Sequence, residues 1–114
     1  MKSTSFEGTV NTKETGKFVY PFERLEVWKL SVDLAEMVLS LLEKLPQKEH
    51  IRLMSQMEAA VVSPGQNIAE GKGRQYKKEF IQFLYIARGS VFEVVTLNEI
   101  FRRRELFPKK MQPQ

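Results

Sequence analysis

Few residues in this chain carry reactive chemistry, and most of those are simple charges. Cysteine is absent from the 114 residues and histidine occurs once, at His50. Thiolate ligation, cysteine nucleophiles and disulfides are therefore excluded, and a single imidazole offers no metal pair. His50, near the start of an amphipathic segment, reads as a surface or boundary residue, and no metal or cofactor is expected. Gly71-Lys72-Gly73-Arg74 resembles a phosphate loop only superficially. A nucleotide fingerprint needs a preceding strand and a different glycine spacing, so these glycines read as an interhelical turn. Glu70 and Arg74 stand four apart around it, as a structural ion pair or, on a sharper reading, as a catalytic carboxylate and its partner. General acid–base work needs a second positioned group and a concave site. The sequence supplies neither, so the structural reading is preferred and no enzyme is expected.

The basic residues are the remaining candidates. The chain carries a formal charge of +4 with a pI near 9.4, mildly basic and only weakly suggestive of an acidic partner. The excess is local: residues 1–21 sum to +1, residues 22–74 to −1 and residues 75–114 to +4. Arg74, Lys77 and Lys78 mark the start of the last helical segment. Arg102, Arg103 and Arg104 end it, with Lys109 and Lys110 just beyond. These six, Arg74, Lys77, Lys78, Arg102, Arg103 and Arg104, are the candidate nucleic-acid-binding residues, because phosphate contacts through Lys and Arg give affinity without sequence readout. Cations at a helix C-terminus also complement its dipole by roughly 0.3 to 1 kcal/mol, so the arginine run has a purely structural explanation too. Most aromatics fall on apolar seams, and base-stacking platforms are not indicated.

The elements that must position these charges are helices. Met1 to Tyr20 is polar and reads as a flexible arm. From Phe22 to Leu45, Leu25, Trp28, Val32, Ala35, Leu39 and Leu42 step by three and four, while Leu30, Leu34, Met37 and Leu41 form a second row. Together the rows cover an arc of roughly 220°, against the ~100° that a surface helix needs. Such width predicts burial on more than one side, by bundle neighbours or by another subunit.

Pro46 separates this helix from a second, beginning near Gln47, that carries Ile51, Met54, Met57, Ala60 and Val61 inward. Ser63-Pro64-Gly65 predicts a kink or break, since an internal Pro costs ~3 kcal/mol. Gly71 and Gly73 end it. The third helix runs from about Tyr76 to Arg104 with Phe80, Phe83, Ala87, Ser90, Val94, Leu97 and Phe101 on one seam, and Leu84, Val91 and Val95 beside them. Gly89-Ser90 on that helix suggests close approach of another backbone, a tolerated glycine being the alternative. Pro108 stops it. The expected fold is all-α, an up-and-down antiparallel bundle over residues 21–107, with a disordered tail at 108–114. No run approaches the ~18 consecutive apolar residues of a membrane span, and the N-terminus lacks an apolar signal core. A soluble cytoplasmic protein with no membrane partner is expected.

Asn67-Ile68-Ala69-Glu70-Gly71-Lys72-Gly73-Arg74, followed by Glu79-Phe80, Phe83-Leu84, Ile86-Ala87, Gly89-Ser90-Val91 and Glu93, resembles the signature of a bacterial four-helix-bundle family. That family includes the 23S rRNA intervening-sequence proteins and the accessory proteins of diversity-generating retroelements. Phe22, Leu25, Val27-Trp28 and Gln56 extend the resemblance, which spans Phe22 to about Phe107. It implies a homo-oligomer, pentameric in known members, with structured RNA and a reverse transcriptase as possible partners in the retroelement branch. Three departures stand out. Pro64 lies one position early. Tyr76 replaces the family's capping Ser, so Glu79 loses its reciprocal partner at a cost of roughly 1 kcal/mol. Only seven residues follow Phe107, so the family's fourth helix is expected to be missing and part of the core uncovered. The sequence therefore points to a non-enzymatic, oligomeric, RNA-associated adaptor. The alternative is a protein-interaction module that receives a partner helix or a reverse transcriptase without binding RNA itself.

Overall fold

Extended backbone at Tyr20 leads into a 3-10 turn, Pro21–Arg24, whose first residue fits because its missing N–H needs no partner there. The computed structural model describes residues 19–46 and 48–107. The arm and tail expected at 1–20 and 108–114 lie outside that range, save for Val19 and Tyr20. The Tyr20 N–H donates to Glu23 Oε2 at 2.9 Å and closes the turn. Phe22 packs on Trp28, with ring centroids 5.3 Å apart.

Three helices follow, α1 (Glu26–Leu42), α2 (Ile51–Lys72) and α3 (Lys77–Arg103), with no strand among the described residues. They pack antiparallel in chain order, α2 lying between the other two. No Cα atom of α1 comes within 8 Å of one on α3. The fold is thus all-α with three helices, and the side where α1 and α3 would meet is open.

The core is Leu42, Leu45, Met54, Met57, Ala60, Val61, Val94, Leu97 and Phe101, all buried, with Phe101 and Val61 fully so. At roughly 1.5–3 kcal/mol for each large apolar side chain withdrawn from water, this cluster holds the three helices together. Ile51, expected inward, is 64 % exposed. At ~100° per residue it lies off the face shared by Met57, Val61 and Ile68.

Two further expectations are corrected on α2. Of the kink or break expected at Ser63-Pro64-Gly65, the break does not occur: the helix runs unbroken through Pro64. Pro64 is itself fully buried, and beside it a polar clasp fastens α2 to α3. Asn67 Nδ2 donates to the Ser63 carbonyl at 3.0 Å and to Ser63 Oγ at 2.9 Å, and Ser63 Oγ pairs with Ser90 Oγ at 2.7 Å. The helix begins at Ile51 instead of Gln47, a residue outside those described, and passes through Gly71 to a cap at Gly73.

Of the pair Gly89-Ser90, where the sequence suggested a close approach, Ser90 does meet Ser63 of α2 at 2.7 Å, whereas Gly89 does not face a neighbour and the tightest approach lies at Gly71. A Cβ at Gly71 would stand 2.5 Å from Phe83 Cβ and 3.0 Å from Phe80 Cδ1; one at Gly89 meets nothing within 4 Å. Helix α3 also stops before Pro108. The Leu106 N–H reaches the Phe101 carbonyl and the Glu105 N–H that of Arg102, with Glu105 in left-handed backbone at φ 56°. This is a Schellman closure, which usually places glycine where Glu105 stands.

Within one chain, α1 is covered on a single side. Leu30 and Met37 are each 59 % exposed, and Leu34 and Leu41 are half-buried. Its bundle neighbours therefore do not provide the second cover that its wide apolar arc predicts. Helix α3 is likewise apolar almost all round. By length and composition it is able to span a membrane, with a mean hydropathy of 1.4 over 18 residues. Counting uninterrupted apolar runs missed this. Arg88 and Glu93 lie inside that stretch, and each would cost ~3 kcal/mol at a bilayer centre. The inner face of α3 packs instead on α2.

Candidate nucleic-acid interface

Four of the six candidate cations, Lys77, Lys78, Arg102 and Arg103, lie at the two ends of helix α3, with Arg74 in the turn before it and Arg104 at its C-cap. With a rise of ~1.5 Å per residue, its 27 residues set those ends roughly 40 Å apart. A single chain therefore offers two small basic sites and no continuous track.

At the N-terminal end, Arg74 is committed internally. Its Nη2 donates to Glu70 Oε2 at 2.7 Å, and its guanidinium lies 4.8 Å from the centroid of the Phe83 ring. The ion pair favoured for Glu70 and Arg74 is therefore formed, and it links the end of α2 to the turn before α3. Lys72 sits over Phe80 at 5.7 Å. Lys77 and Lys78 are exposed, with no ion pair among the described residues. Tyr76 caps α3 without a side-chain hydrogen bond, as its substitution for Ser predicts.

The arginine run is less available than its sequence suggests. Glu99 takes two of the three cations: Arg102 Nε and Nη2 donate to its Oε1 and Oε2 at 3.0 and 2.8 Å, and Arg103 Nε to Oε2 at 2.8 Å. The hydrogen bonds from Arg102 and then Arg103 hold the Glu99 carboxyl down at about 2, and Glu99 in turn raises Arg102. Arg104 is exposed and makes no ion pair among the described residues. Glu99 was legible in principle, since i,i+3 and i,i+4 spacing to two arginines is the standard helix-surface pairing.

A second feature that the candidate set omits is Arg88. Its guanidinium lies 4.9 Å from the Tyr85 ring centroid and 5.8 Å from that of Phe92, on the outer side of α3. All three residues are exposed. The open side of the bundle forms a groove of about 310 Å³ lined by Leu34, Met37, Leu41, Val95 and Phe107, with Met57 at its floor. Among the described residues, no three His, Cys, Asp or Glu side chains are placed to hold a metal ion.

These features define a small helical-bundle protein with basic helix ends and an uncovered apolar side. The family model for the 23S rRNA-intervening sequence protein matches residues 23–113, and the chain belongs to that family. No curated protein matches it.

Proposed function

We propose that the chain is a non-enzymatic cytoplasmic protein that assembles with copies of itself and presents its basic helix ends to structured RNA. The observation that carries this is the exposure of large apolar side chains on two helices, Leu30 and Met37 on α1 and Tyr85, Phe92 and Val95 on α3. Rows of large apolar side chains left to water on two helices mark surfaces that other molecules cover. Assembly would also multiply the cations. Lys77, Lys78 and Arg104 are too few in one chain, but repeated around an axis they act together on a phosphate backbone.

Light scattering and an RNA titration at several salt concentrations test it. The expected result is an oligomer whose affinity falls steeply with salt. Replacing Lys77, Lys78 and Arg104 by Ala lowers the slope of log affinity against log salt by roughly 2 per subunit engaged. An unchanged slope removes those residues from the interface, and a stable monomer removes the whole reading.

The groove between α1 and α3 favours a second reading. Its lining suits an amphipathic helix from a partner protein such as a reverse transcriptase. Copurification separates the two: a stoichiometric protein without nucleic acid favours the groove, and a high 260/280 absorbance ratio favours RNA.

A further inference from the structure

Resting on the RNA reading just proposed, we infer that the RNA is met in part as a single strand: Tyr85, Arg88 and Phe92 on the outer face of α3 form a stacking platform for unpaired bases, while the basic helix ends hold the phosphates.

The aromatic residues of α3 divide between two faces. Phe80 and Phe83 pack toward Gly71 on α2, and Phe101 is fully buried. Tyr85 and Phe92 are the exceptions to a pattern that otherwise puts the rings on apolar seams, being 59 % and 60 % exposed. At ~100° per residue they share one face with Ile81 and Val95, opposite the buried Ala87, Val94 and Phe101. Arg88 lies between them, its guanidinium over both rings. It forms no ion pair among the described residues. Lys77 and Lys78 begin the same face, Arg102 and Arg103 end it, and the carboxylate that falls on it, Glu99, is already held by those two arginines.

Cations at the two ends attract any phosphate backbone and need no rings between them to do so. Exposed rings add something that only unpaired bases can use, a π face to stack on, and a guanidinium plane offers another. In a duplex the bases are stacked on one another and turn only their edges to a protein, so the platform favours single strands. Seven residues separate Tyr85 from Phe92, a rise of ~10 Å, so the two rings serve different bases and the N–H groups of Arg88 face the phosphate between them. The outer row of α1 lacks this chemistry. Leu30 and Met37 have Glu26 and Asp33 beside them, both exposed and neither in an ion pair among the described residues. Carboxylates repel phosphate, so that row suits another copy and the outer face of α3 suits RNA.

The test uses the full chain with Tyr85→Ala and Phe92→Ala combined, and separately with Arg88→Lys, each checked for wild-type helicity by circular dichroism. Fluorescence anisotropy follows binding to an unpaired oligoadenylate and to an RNA duplex of matched length. The double variant is expected to bind the oligoadenylate roughly tenfold more weakly or worse, to bind the duplex as the wild type does, and to keep the wild-type salt slope and sedimenting mass. Arg88→Lys keeps the charge and loses the plane, so it weakens the single strand alone. Equal loss on both probes, or no loss on the oligoadenylate, overturns the inference, and so does a change in sedimenting mass, which would make the stripe a contact between protein chains. A wild-type chain that binds neither RNA overturns the reading beneath it instead, so the two failures are distinguishable.

Discussion

Three glycines on the helices have different surroundings, and alanine at each has a different predicted sign. In a helix interior Ala is favoured over Gly by ~1 kcal/mol. At Gly89 nothing lies within 4 Å of a new Cβ, so Gly89→Ala retains that full gain. At Gly65 the nearest atoms are Ser31 Cβ at 3.8 Å and Val32 Cγ2 at 3.9 Å. These are ordinary contacts, and the gain is similar. At Gly71 the new methyl would stand 2.5 Å from Phe83 Cβ. That atom is fixed to the α3 backbone and has no rotamer by which to escape, so α2 and α3 must separate. Overpacking of this kind costs ~1–3 kcal/mol, and loosening the adjacent Phe80 and Phe83 contacts adds to it. Net destabilisation of about 1–2 kcal/mol follows for Gly71→Ala, against stabilisation of up to ~1 kcal/mol at the other two sites. For a domain of this size ~1 kcal/mol moves Tm by roughly 4–8 °C, so thermal melts of the three variants should straddle the wild type. If Gly71→Ala melts at or above the wild type, the helices do not approach there as described and the reasoning fails.

Other perturbations follow from the helix ends and the charges. Tyr76→Ser restores the side-chain cap missing at the start of α3 and lets Glu79 answer it, so urea denaturation should show a gain of ~1 kcal/mol; no gain means that the end is already satisfied by other means. Glu105→Gly relieves a left-handed residue at φ 56° and should stabilise by roughly 1 kcal/mol, read as a rise in Tm. Glu99 has its folded pKa depressed from 4.5 to about 2. Its contribution is therefore present above the ordinary carboxylate value and is lost as pH falls from about 4.5 through 2. Glu99→Gln should flatten that part of the Tm profile, and an acid limb identical to wild type would show that the arginines do not hold the carboxylate.

The sequence alone was enough for the class of fold and for most of its core. Three-four spacing identified all three helices, and Met54, Met57, Ala60, Val61, Val94, Leu97 and Phe101 were read as inward and are buried. Such periodicity is a property of one helix, and one helix suffices to reveal it. The Glu70–Arg74 pair and the uncapped Tyr76 were legible for the same reason, being local in chain and space. What sequence could not decide depends on two helices at once. Gly71 and Gly89 are equivalent as letters, and only the crossing of α2 over α3 makes one of them indispensable. Pro64 reads as a breaker until its burial and the Ser63–Asn67–Ser90 clasp beside it are seen. The second apolar row of α1 announced a need for cover, but only the packing shows that α3 does not provide it. Three helices in a row around a middle one leave one side without a lid, and that geometry, not composition, leaves Leu30 and Met37 exposed on α1 and Arg88 standing among exposed aromatics on α3.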